Sequence, residues 1–408
     1  MSQSTTTNNC LWIVTEVYYP EEISTGYYLT SIAEGLAKHR KIKVLCGQPN
    51  YAARGTIAPK HEFRNGVEIV RAGSTTLDKN VIFYRVINML TLGASMFFKS
   101  LNHFRRGDHV MVVTAPPSLP FTTALAAIIR GSSYTLLLHD CYPEILIAVG
   151  KAKQNSLLVR IANFSNRLLH KHASRIIVVG RDMKELMERK TRGLNIPIDV
   201  VPNWADLEII RPTDRDGNSL LAELGISDKF VLMYAGNIGY PTDIETIIDA
   251  AEALHDLSQY HFVFIGSGAK RKWLEAQVRD RKLSNVTLLG VRPRGNQIEF
   301  LNACDAGLVA LVKGMWGTAM PSRTYNIMAA GKPVIALTEP GSELARVIDE
   351  ERIGRYVSPG ARDALIKTIT EMFEDPSEMR SMGERAYIAA KAKYSLKTAI
   401  EKYYVALN

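Results

Sequence analysis

One stretch of the chain, residues 314–337, combines residue types that suit the binding of an anion. A glycine-rich loop leads into a short predicted helix at Pro321 and Ser322, and a β-branched strand follows the closing Gly331. Free amides at a helix start and the helix dipole attract phosphate, and Ser322 is expected to cap this helix. Arg323 adds a permanent positive charge in the first turn, where an acid is usually favoured. The stretch predicts a phosphate site, with an ordinary loop, helix and strand carrying a surface arginine as the alternative.

Polar residues also stand directly after predicted strands in the first half of the chain. His139 and Asp140 follow an apolar run, at the carboxyl edge where parallel sheets bind ligands. Two polar residues together at that edge favour a functional role over a purely structural one. Glu144 comes shortly afterwards and is a third candidate. Three more residues on loops of the same edge either shape a ligand pocket or serve as turn residues: Glu16, Asn50 and Tyr51.

Two parallel sheets are needed to position these residues. Short β-branched runs alternate with helical spacing, beginning with a strand at 11–15, a helix around 29–37 and a strand at 42–46. The alternation restarts after a polar stretch at 212–218. It predicts an α/β protein with two Rossmann-like domains, whose sheets are covered by helices on both faces.

The length of 408 residues allows two domains with separate cores. The expected division is an N-terminal domain at 1–205, a C-terminal domain at 206–390 and a C-terminal helix at 391–408. The chain from residue 362 onward is expected to be helical throughout. Its last amphipathic segment, 396–407, is expected to pack back on the first domain.

The composition is that of a soluble globular protein, with 46% hydrophobic and 22% charged residues. The first nine residues are polar and show no signal peptide, and four widely spaced cysteines predict buried thiols in a reducing cytosol. A formal charge of +9 suits an anionic partner: a nucleotide, a phospholipid surface or nucleic acid. The sequence has no zinc finger, RNP-like strand or helix-turn-helix spacing, so nucleic acid is not the expected partner.

Two predicted helices, at 81–104 and 156–172, mix apolar bulk with basic residues. The first contains an uncharged run at 86–98 that is too short to span a bilayer. Either both helices lie at the surface of an anionic membrane, or each turns its apolar side to the sheet and its basic side to solvent.

Eight short motifs occur in an order and spacing that are specific only as a set. They are Tyr19-Pro20-Glu21 with Gly26, Gln48-Pro49-Asn50-Tyr51, Ala115-Pro116-Pro117, residues 139–144, residues 201–206, residues 235–239, Gly266-Ser267-Gly268 and residues 321–334. Together they resemble glycosyltransferase family 4, the retaining nucleotide-sugar transferases with the GT-B fold. The nearest pattern is the branch that builds bacterial surface polysaccharide, of the fucosamine and colanic acid type. The resemblance covers nearly the whole chain.

The resemblance implies that the sugar nucleotide lies in the cleft, mostly on the second domain, and the acceptor on the first. In that family the leaving diphosphate helps to deprotonate the acceptor on the same face, so fixed positive charge and amide donors are needed there. Arg323 stands where this branch usually carries lysine, and the resemblance makes it catalytic together with His139 and Asp140. The implied donor-binding residues are Gly26, Gly236, Asn237, Gly239, Arg292, Thr318, Pro321, Ser322, Thr324 and Asn326, and the implied acceptor residues are Glu16, Asn50, Tyr51 and Glu144.

The chain departs from the family pattern at Thr318 and Asn326, where members commonly have glutamates. An amide can still bond ribose hydroxyls, whereas Thr318 removes a carboxylate from the sugar site. Basic residues that many members place after the Gly-Asn turn are absent, so Arg323 carries more of the phosphate charge. Residues 270–272 either assist it or form a solvated helix start.

The expected function is retaining transfer of a sugar from a UDP- or GDP-linked donor to a lipid-linked glycan acceptor at a membrane, in O-antigen, capsule or exopolysaccharide synthesis. Two alternatives stay open: a transferase for a soluble acceptor, and a nucleotide-sugar binding protein without activity. No cofactor or metal is expected, since the acidic residues at 214–216 lie in a linker. The expected location is the cytoplasm, at the inner face of the cell membrane.

Overall fold

The structure, a computed structural model, describes residues 10–49, 56–75, 77 and 82–408, which form two α/β lobes. The strands described in the first lobe are Leu11–Val14 (β1), Ile42–Cys46 (β2), His61–Arg64 (β3), Val67–Arg71 (β4), His109–Val113 (β5), Ser133–Leu138 (β6), Arg175–Val178 (β7) and Ile198–Val200 (β8). They form one sheet in the order β3-β4-β2-β1-β5-β6-β7-β8. β3 and β4 pair antiparallel, and the other described pairs are parallel.

Helices cover both faces of this sheet. They are Ser24–Ala37 (α1), Ile82–His103 (α2), Leu119–Arg130 (α3), Glu144–Ala148 (α4), Leu157–Lys171 (α5) and Arg181–Lys190 (α6). α1 packs on one face through side chains such as Leu29 and Ile32, whereas α2, α3 and α5 cover the other. The central strands are buried on both faces, which is why their sequences are continuous apolar runs rather than alternating ones.

The second lobe repeats this plan with a parallel sheet. Its described strands are Phe230–Ala235 (β9), Tyr260–Ile265 (β10), Val286–Leu289 (β11), Ala306–Ala310 (β12), Val334–Leu337 (β13) and Gly354–Val357 (β14). They lie in the order β11-β10-β9-β12-β13-β14. Its helices are Ser219–Leu224 (α7), Ile244–Ala253 (α8), Arg271–Asp280 (α9), Gln297–Ala303 (α10), Arg323–Ala329 (α11), Glu343–Glu351 (α12), Arg362–Glu374 (α13) and Pro376–Lys393 (α14).

The last helix, Leu396–Leu407 (α15), returns to the first lobe and packs on α1, as the sequence predicts. Ile400 fills the space beside Gly35, where an added Cβ would lie 2.6 Å from the Ile400 side chain. Where the chain crosses between the lobes, the amide of Ala205 donates to the carbonyl of Tyr394 (2.8 Å). The outgoing and returning segments are therefore hydrogen-bonded to each other.

The tail from residue 362 is helical, as the sequence predicts, and residues 375 and 394–395 divide it into three helices. Asp375 caps α14 by accepting a hydrogen bond from the amide of Glu378 (2.9 Å), and Pro376 follows it at the first helical position. Ser395 caps α15 by accepting from the amide of Thr398 (3.3 Å). These caps start new helices and let the chain turn back toward the first lobe.

Candidate active site

The two sheets present their topological switch points to the same gap. The order of strands reverses between β1 and β5 in the first sheet, and between β9 and β12 in the second. Ligands of open parallel sheets bind beside such points, at the carboxyl ends of the strands. α1 follows β1 and α11 follows β12, and the hydroxyls of Ser24 and Ser322 at the starts of these helices lie 3.0 Å apart. Both helix starts therefore face the gap between the lobes.

Arg323 lies in this gap, over the turn that follows β9. Its guanidinium carbon is 4.4 Å from the centre of the Tyr234 ring, and a Cβ built on Gly236 would come 2.8 Å from that carbon. A side chain at position 236 would displace the guanidinium, and the φ of +146° at Gly236 also favours glycine. Nη1 of Arg323 is buried and has no hydrogen-bond partner among the described residues. A buried cationic donor without a partner is costly, so the arrangement suits an anion in the gap.

Main-chain amides add positive potential at the same place. No described side chain caps the start of α1 or of α11. The expectation that Ser322 caps α11 is wrong, because its hydroxyl meets Ser24 instead. Pro321 lies just before this helix, where its carbonyl accepts from the amide of Thr324 (3.2 Å). Uncapped N–H groups at a helix start attract anions.

The end of β6 touches the loop that precedes α11. Asp140 and Ala319 form an isolated antiparallel β-bridge between the lobes. The amide of Cys141 donates to the carbonyl of Thr318 (2.8 Å), and the hydroxyl of Thr114 donates to the carbonyl of Asp140 (3.2 Å). The structure thus brings Asp140, predicted to be catalytic, beside the backbone of Thr318, predicted to bind the donor.

Burial sets the charge states of His139 and Asp140. It lowers the pKa of His139 to about 4, so the ring is neutral at pH 7. It raises the pKa of Asp140 to about 6, so this carboxyl is largely ionised at pH 7 but takes up a proton under mildly acidic conditions. Nε2 of His139 is buried with no partner in the described part of the chain. An ionised carboxylate here can hold a substrate hydroxyl by a charge-assisted hydrogen bond.

Two threonines assigned to the donor are buried. Thr318 is 1% exposed, and its hydroxyl donates to the carbonyl of Met315 (2.8 Å). Thr324 is fully buried, and its hydroxyl has no partner within the described ranges. Both hydroxyls are enclosed by protein rather than open to the gap, and their donor contacts stay predictions.

Asn326 contacts the segment that links the lobes. Its Oδ1 accepts from the amide of Asp206 (3.2 Å), and its Nδ2 donates to Oε1 of Gln297 (3.3 Å). Asp206 also accepts from Nε of Arg294 (3.0 Å), whose guanidinium carbon lies 3.4 Å from the centre of the Tyr27 ring. This cluster connects the first lobe, the linker and the second lobe. The ribose contact expected of Asn326 stays a prediction.

Sequence reasoning named neither Tyr27 nor Arg294. Tyr27 directly follows Gly26, and Arg294 comes two positions after Arg292 in the same loop. Arg292 itself pairs with Glu223 of α7 (3.7 Å). The sequence signal for Arg294 was its place directly after a loop proline. The spacing of Arg292 and Arg294 alone could not show which of the two contacts the first lobe.

Glycine turns at the ends of β9 and β10 pack against each other. The amide side chain of Asn237 lies between them: a Cβ on Gly239 would come 2.8 Å from its Nδ2, and a Cβ on Gly268 would come 2.5 Å from its Oδ1. In the first lobe, a Cβ on Gly26 would collide with the carbonyl of Glu21. Close approach of protein groups is sufficient to require these glycines, and the diphosphate contacts assigned to Gly26, Asn237 and Gly239 stay predictions.

The candidate acceptor residues have different surroundings. Glu144 begins α4 and forms an ion pair with Lys190 of α6, while its Oε2 is buried without a partner among the residues described. Glu16 follows β1, and its carbonyl accepts from the amide of Gly47 (2.9 Å). Asn50 and Tyr51 lie outside the described residues.

Two of the basic residues at 270–272, which the sequence offered as helpers of Arg323, are already paired. Lys270 pairs with Glu245 (2.8 Å), and Arg271 pairs with Glu275 (2.7 Å). Within residues 10–49, 56–75, 77 and 82–408, no three His, Cys, Asp or Glu side chains converge as a metal site would require. Arg323 is therefore the cation in this part of the described structure that best suits a diphosphate.

Comparison with known proteins identifies the family. Residues 219–389 match the family model of glycosyl transferases group 1. Over 328 residues the chain is 31% identical to a Pseudomonas aeruginosa protein described as "Probable glycosyltransferase WbjE", and the alignment covers 80% of each chain. The chain belongs to the group 1 glycosyltransferases.

This group 1 glycosyltransferase is also similar to a second relative and to a solved structure. It is 23% identical over 368 residues to the "Putative colanic acid biosynthesis glycosyl transferase WcaI" of Escherichia coli K12, covering 87% of this chain and 89% of that one. Its structure is similar to that of Anabaena HepE in complex with UDP, with a TM-score of 0.72, 16% identity, and coverage of 97% of this chain and 99% of that one. The GT-B fold implied by the motifs is confirmed, as is a glycosyltransferase of group 1; the assignment to family 4 stays a prediction.

Proposed function

We propose that this glycosyltransferase moves a sugar, with retention of anomeric configuration, from a nucleoside diphosphate donor to a glycolipid acceptor at a membrane. The observation that carries the proposal is the position of Nη1 of Arg323, at the gap where α1 and α11 begin. This nitrogen is buried and has no hydrogen-bond partner among the described residues. A cation with a buried, unpartnered donor beside two uncapped helix starts is suited to a diphosphate.

The donor side follows from the charge that develops during the reaction. Negative charge grows on the diphosphate as its bond to the sugar breaks, so fixed donors in the gap stabilise the transition state more than the ground state. Anabaena HepE, which has the same fold, was solved with UDP and with UDP-glucose. A UDP sugar is therefore the first donor to test, ahead of a GDP sugar.

The acceptor side centres on Asp140. In its ionised form this carboxylate accepts a hydrogen bond from an acceptor hydroxyl adjacent to the reacting one. This contact orients the reacting hydroxyl toward the anomeric carbon and leaves its proton available to the diphosphate. The hydroxyl attacks on the face from which the diphosphate leaves, and the departing diphosphate takes up the hydroxyl proton. The neutral ring of His139, directly before Asp140, is assigned to a hydroxyl of the transferred sugar. No metal ion or cofactor takes part.

An apolar surface on the first lobe supports a membrane acceptor. α2, α3 and α5 lie side by side on one face of the first sheet, and none of the three contains Asp or Glu. Their outward side, the three-helix face, exposes these apolar residues: Phe83, Leu90, Phe98, Phe121, Leu125, Ile128, Ile129, Leu157, Leu158, Ile161, Phe164 and Leu168. Exposed basic residues lie on or directly after the same helices: Arg105, Arg106, Arg160, Arg167 and Lys171. Apolar bulk with basic and no acidic residues suits an anionic bilayer surface.

The described helices include none that is both long enough and apolar enough to pass through a bilayer.

The printed description of one relative supports the biological setting. WcaI is described as a glycosyl transferase of colanic acid biosynthesis. We place the acceptor in the assembly of a cell-surface polysaccharide and the enzyme on the cytoplasmic side of the membrane.

The test of transfer incubates the purified protein and prenyl-diphosphate-linked glycan acceptors with radiolabelled UDP sugars and with GDP-mannose, in the presence of a chelator. Label is expected in the lipid fraction with one of the donors, and NMR of the product is expected to show the donor's anomeric configuration. An inverted product contradicts the proposed mechanism. Transfer to soluble glycans alone indicates a soluble acceptor, and donor binding without turnover on any acceptor indicates a binding protein.

The test of membrane docking is flotation with vesicles of phosphatidylcholine, with and without phosphatidylglycerol. The wild type is expected to float with the anionic vesicles, and the double variant Ile161→Glu with Phe164→Glu is expected to stay in the soluble fraction. Val405→Glu on α15 is the control, because Val405 is 75% exposed but lies away from the three-helix face. Wild-type protein that stays soluble with anionic vesicles contradicts the docking proposal.

A further inference from the structure

A large cavity lies in the first lobe beside Asp140, separate from the gap that holds Arg323. Its volume is about 570 Å³, within the range of about 300–1,000 Å³ typical of sites for small ligands. α3 and α5 form its sides, and α4 and the end of β6 form its inner end. We refer to it as the α3–α5 cavity. The proposed donor chemistry makes no use of it.

The walls of the α3–α5 cavity are mainly hydrocarbon. They include Phe121, Leu138, Leu158, Ala162, Leu169 and Met187. Two of the polar groups that reach it have partners: Nδ2 of Asn166 donates to the carbonyl of Tyr142 (2.8 Å), and Lys190 pairs with Glu144. Burial lowers the pKa of His170 to about 4, so this ring adds no charge at pH 7. A sugar ring needs many hydrogen-bond partners that these walls do not offer, whereas a hydrocarbon chain needs none.

The cavity connects two surfaces that the proposed function uses. At its outer end the lining residues Phe121 and Leu158 are 37% and 60% exposed, and both belong to the three-helix face. At its inner end the lining includes Asp140, which forms the β-bridge to the second lobe. A chain that enters from the membrane side would therefore reach the edge of the interlobe site.

We propose that the α3–α5 cavity binds the hydrocarbon chain of the lipid-linked acceptor, in the part of the chain nearest its phosphate. The inference rests on the proposed function. It adds that the enzyme recognises the hydrocarbon chain of the acceptor and that this chain lies in the α3–α5 cavity. Lys190 also lines the cavity, but it is paired with Glu144, so the hydrocarbon chain and not the phosphate is the part of the acceptor that this cavity recognises. The glycan beyond that phosphate then lies at the Asp140 end, so the enzyme selects lipid-linked over free glycans.

The test measures binding of farnesyl phosphate by calorimetry, below its micelle-forming concentration. Dodecyl phosphate is the straight-chain arm, and inorganic phosphate is the headgroup control. Farnesyl phosphate is expected to bind at least about tenfold more tightly than inorganic phosphate, because the chain is removed from water. If dodecyl phosphate binds equally well, the site accepts any such chain, and if it binds more weakly, the site prefers the branched prenyl chain.

Ala162→Trp fills the cavity and is expected to weaken the binding of farnesyl phosphate at least about tenfold. Ala94→Trp on α2 is the matched control, because it makes the same change at an exposed position outside the cavity. Ser165→Phe, at a second lining position, decides the question if Ala162→Trp does not fold. Equal binding of farnesyl phosphate by the wild type and the filled variants would overturn the inference.

Sugar transfer is measured separately, on the same acceptor glycan with and without its prenyl chain. We expect the wild type to have a higher KM for the chain-free glycan than for the glycan with its prenyl chain. Ala162→Trp is expected to remove this difference in KM. If the wild type uses both acceptors with the same KM, the cavity inference is wrong while the proposed function stands. If the wild type binds farnesyl phosphate but transfers no sugar to any acceptor, the proposed function is wrong while a lipid site in this cavity stands.

Discussion

Replacing Arg323 with alanine is expected to cause the largest loss of activity of any single change in the donor gap. Nη1 of Arg323 has no partner among the described residues, so its hydrogen-bonding capacity is available to the ligand. A hydrogen bond to a charged group contributes about 1.5–3 kcal/mol, and loss of a donor where charge develops costs about 2.7–4 kcal/mol. A loss of about 3 kcal/mol corresponds to a roughly 150-fold fall in kcat/KM. Arg323→Lys keeps the charge without the forked geometry, and a fall of about tenfold is expected.

The assay measures kcat and KM for the UDP sugar and the Kd of UDP by calorimetry, and the melting temperature checks that each variant is folded. Arg279→Ala is the control, because Arg279 lies on α9 of the same lobe, is 73% exposed and pairs with the adjacent Asp280. The reasoning is refuted if Arg323→Ala keeps kcat/KM within about threefold of the wild type. It is also refuted if Arg279→Ala causes an equal loss, since the effect would then be one of overall charge.

Changes at three other positions test separate parts of the structure. In the wild type, kcat/KM is expected to fall as the pH drops through about 6, because Asp140 is protonated there. Asp140→Asn should remove this acidic limb of the pH profile. An unchanged limb would show that another group causes the fall. Gly236→Ala should raise the Kd of UDP at least about tenfold, because the methyl displaces the guanidinium of Arg323; calorimetry that shows wild-type affinity contradicts this. Tyr403→Ala, at a fully buried position, should lower the free energy of unfolding by about 3–5 kcal/mol in urea. Tyr403→Phe should not lower it, because the hydroxyl has no partner in the described structure.

The sheets were predictable where strands are buried on both faces. The apolar runs predicted as strands at 11–15 and 42–46 match β1 and β2, because continuous burial leaves a continuous apolar sequence. β3 and β14 were not predicted. They are short edge strands with exposed or half-buried side chains, so hydrophobic patterning gives no signal for them.

The site was predictable only where it depends on one lobe. The strand-end position of Asp140 and the place of Arg323 in the first turn of a short helix follow from local sequence. The contact between Ser24 and Ser322, and the stacking of Arg294 on Tyr27, depend on how the lobes face each other. Hydrophobic periodicity predicts each sheet and its helices, but it carries no information on how the two sheets are oriented relative to each other. Pairings across the gap were therefore beyond sequence reasoning.

A crystal structure of the protein with UDP would show directly whether Arg323 binds the diphosphate. We expect the diphosphate to lie between the starts of α1 and α11, with a phosphate oxygen about 2.7–2.9 Å from Nη1 of Arg323. A diphosphate bound elsewhere, with that guanidinium still without a partner, would contradict it.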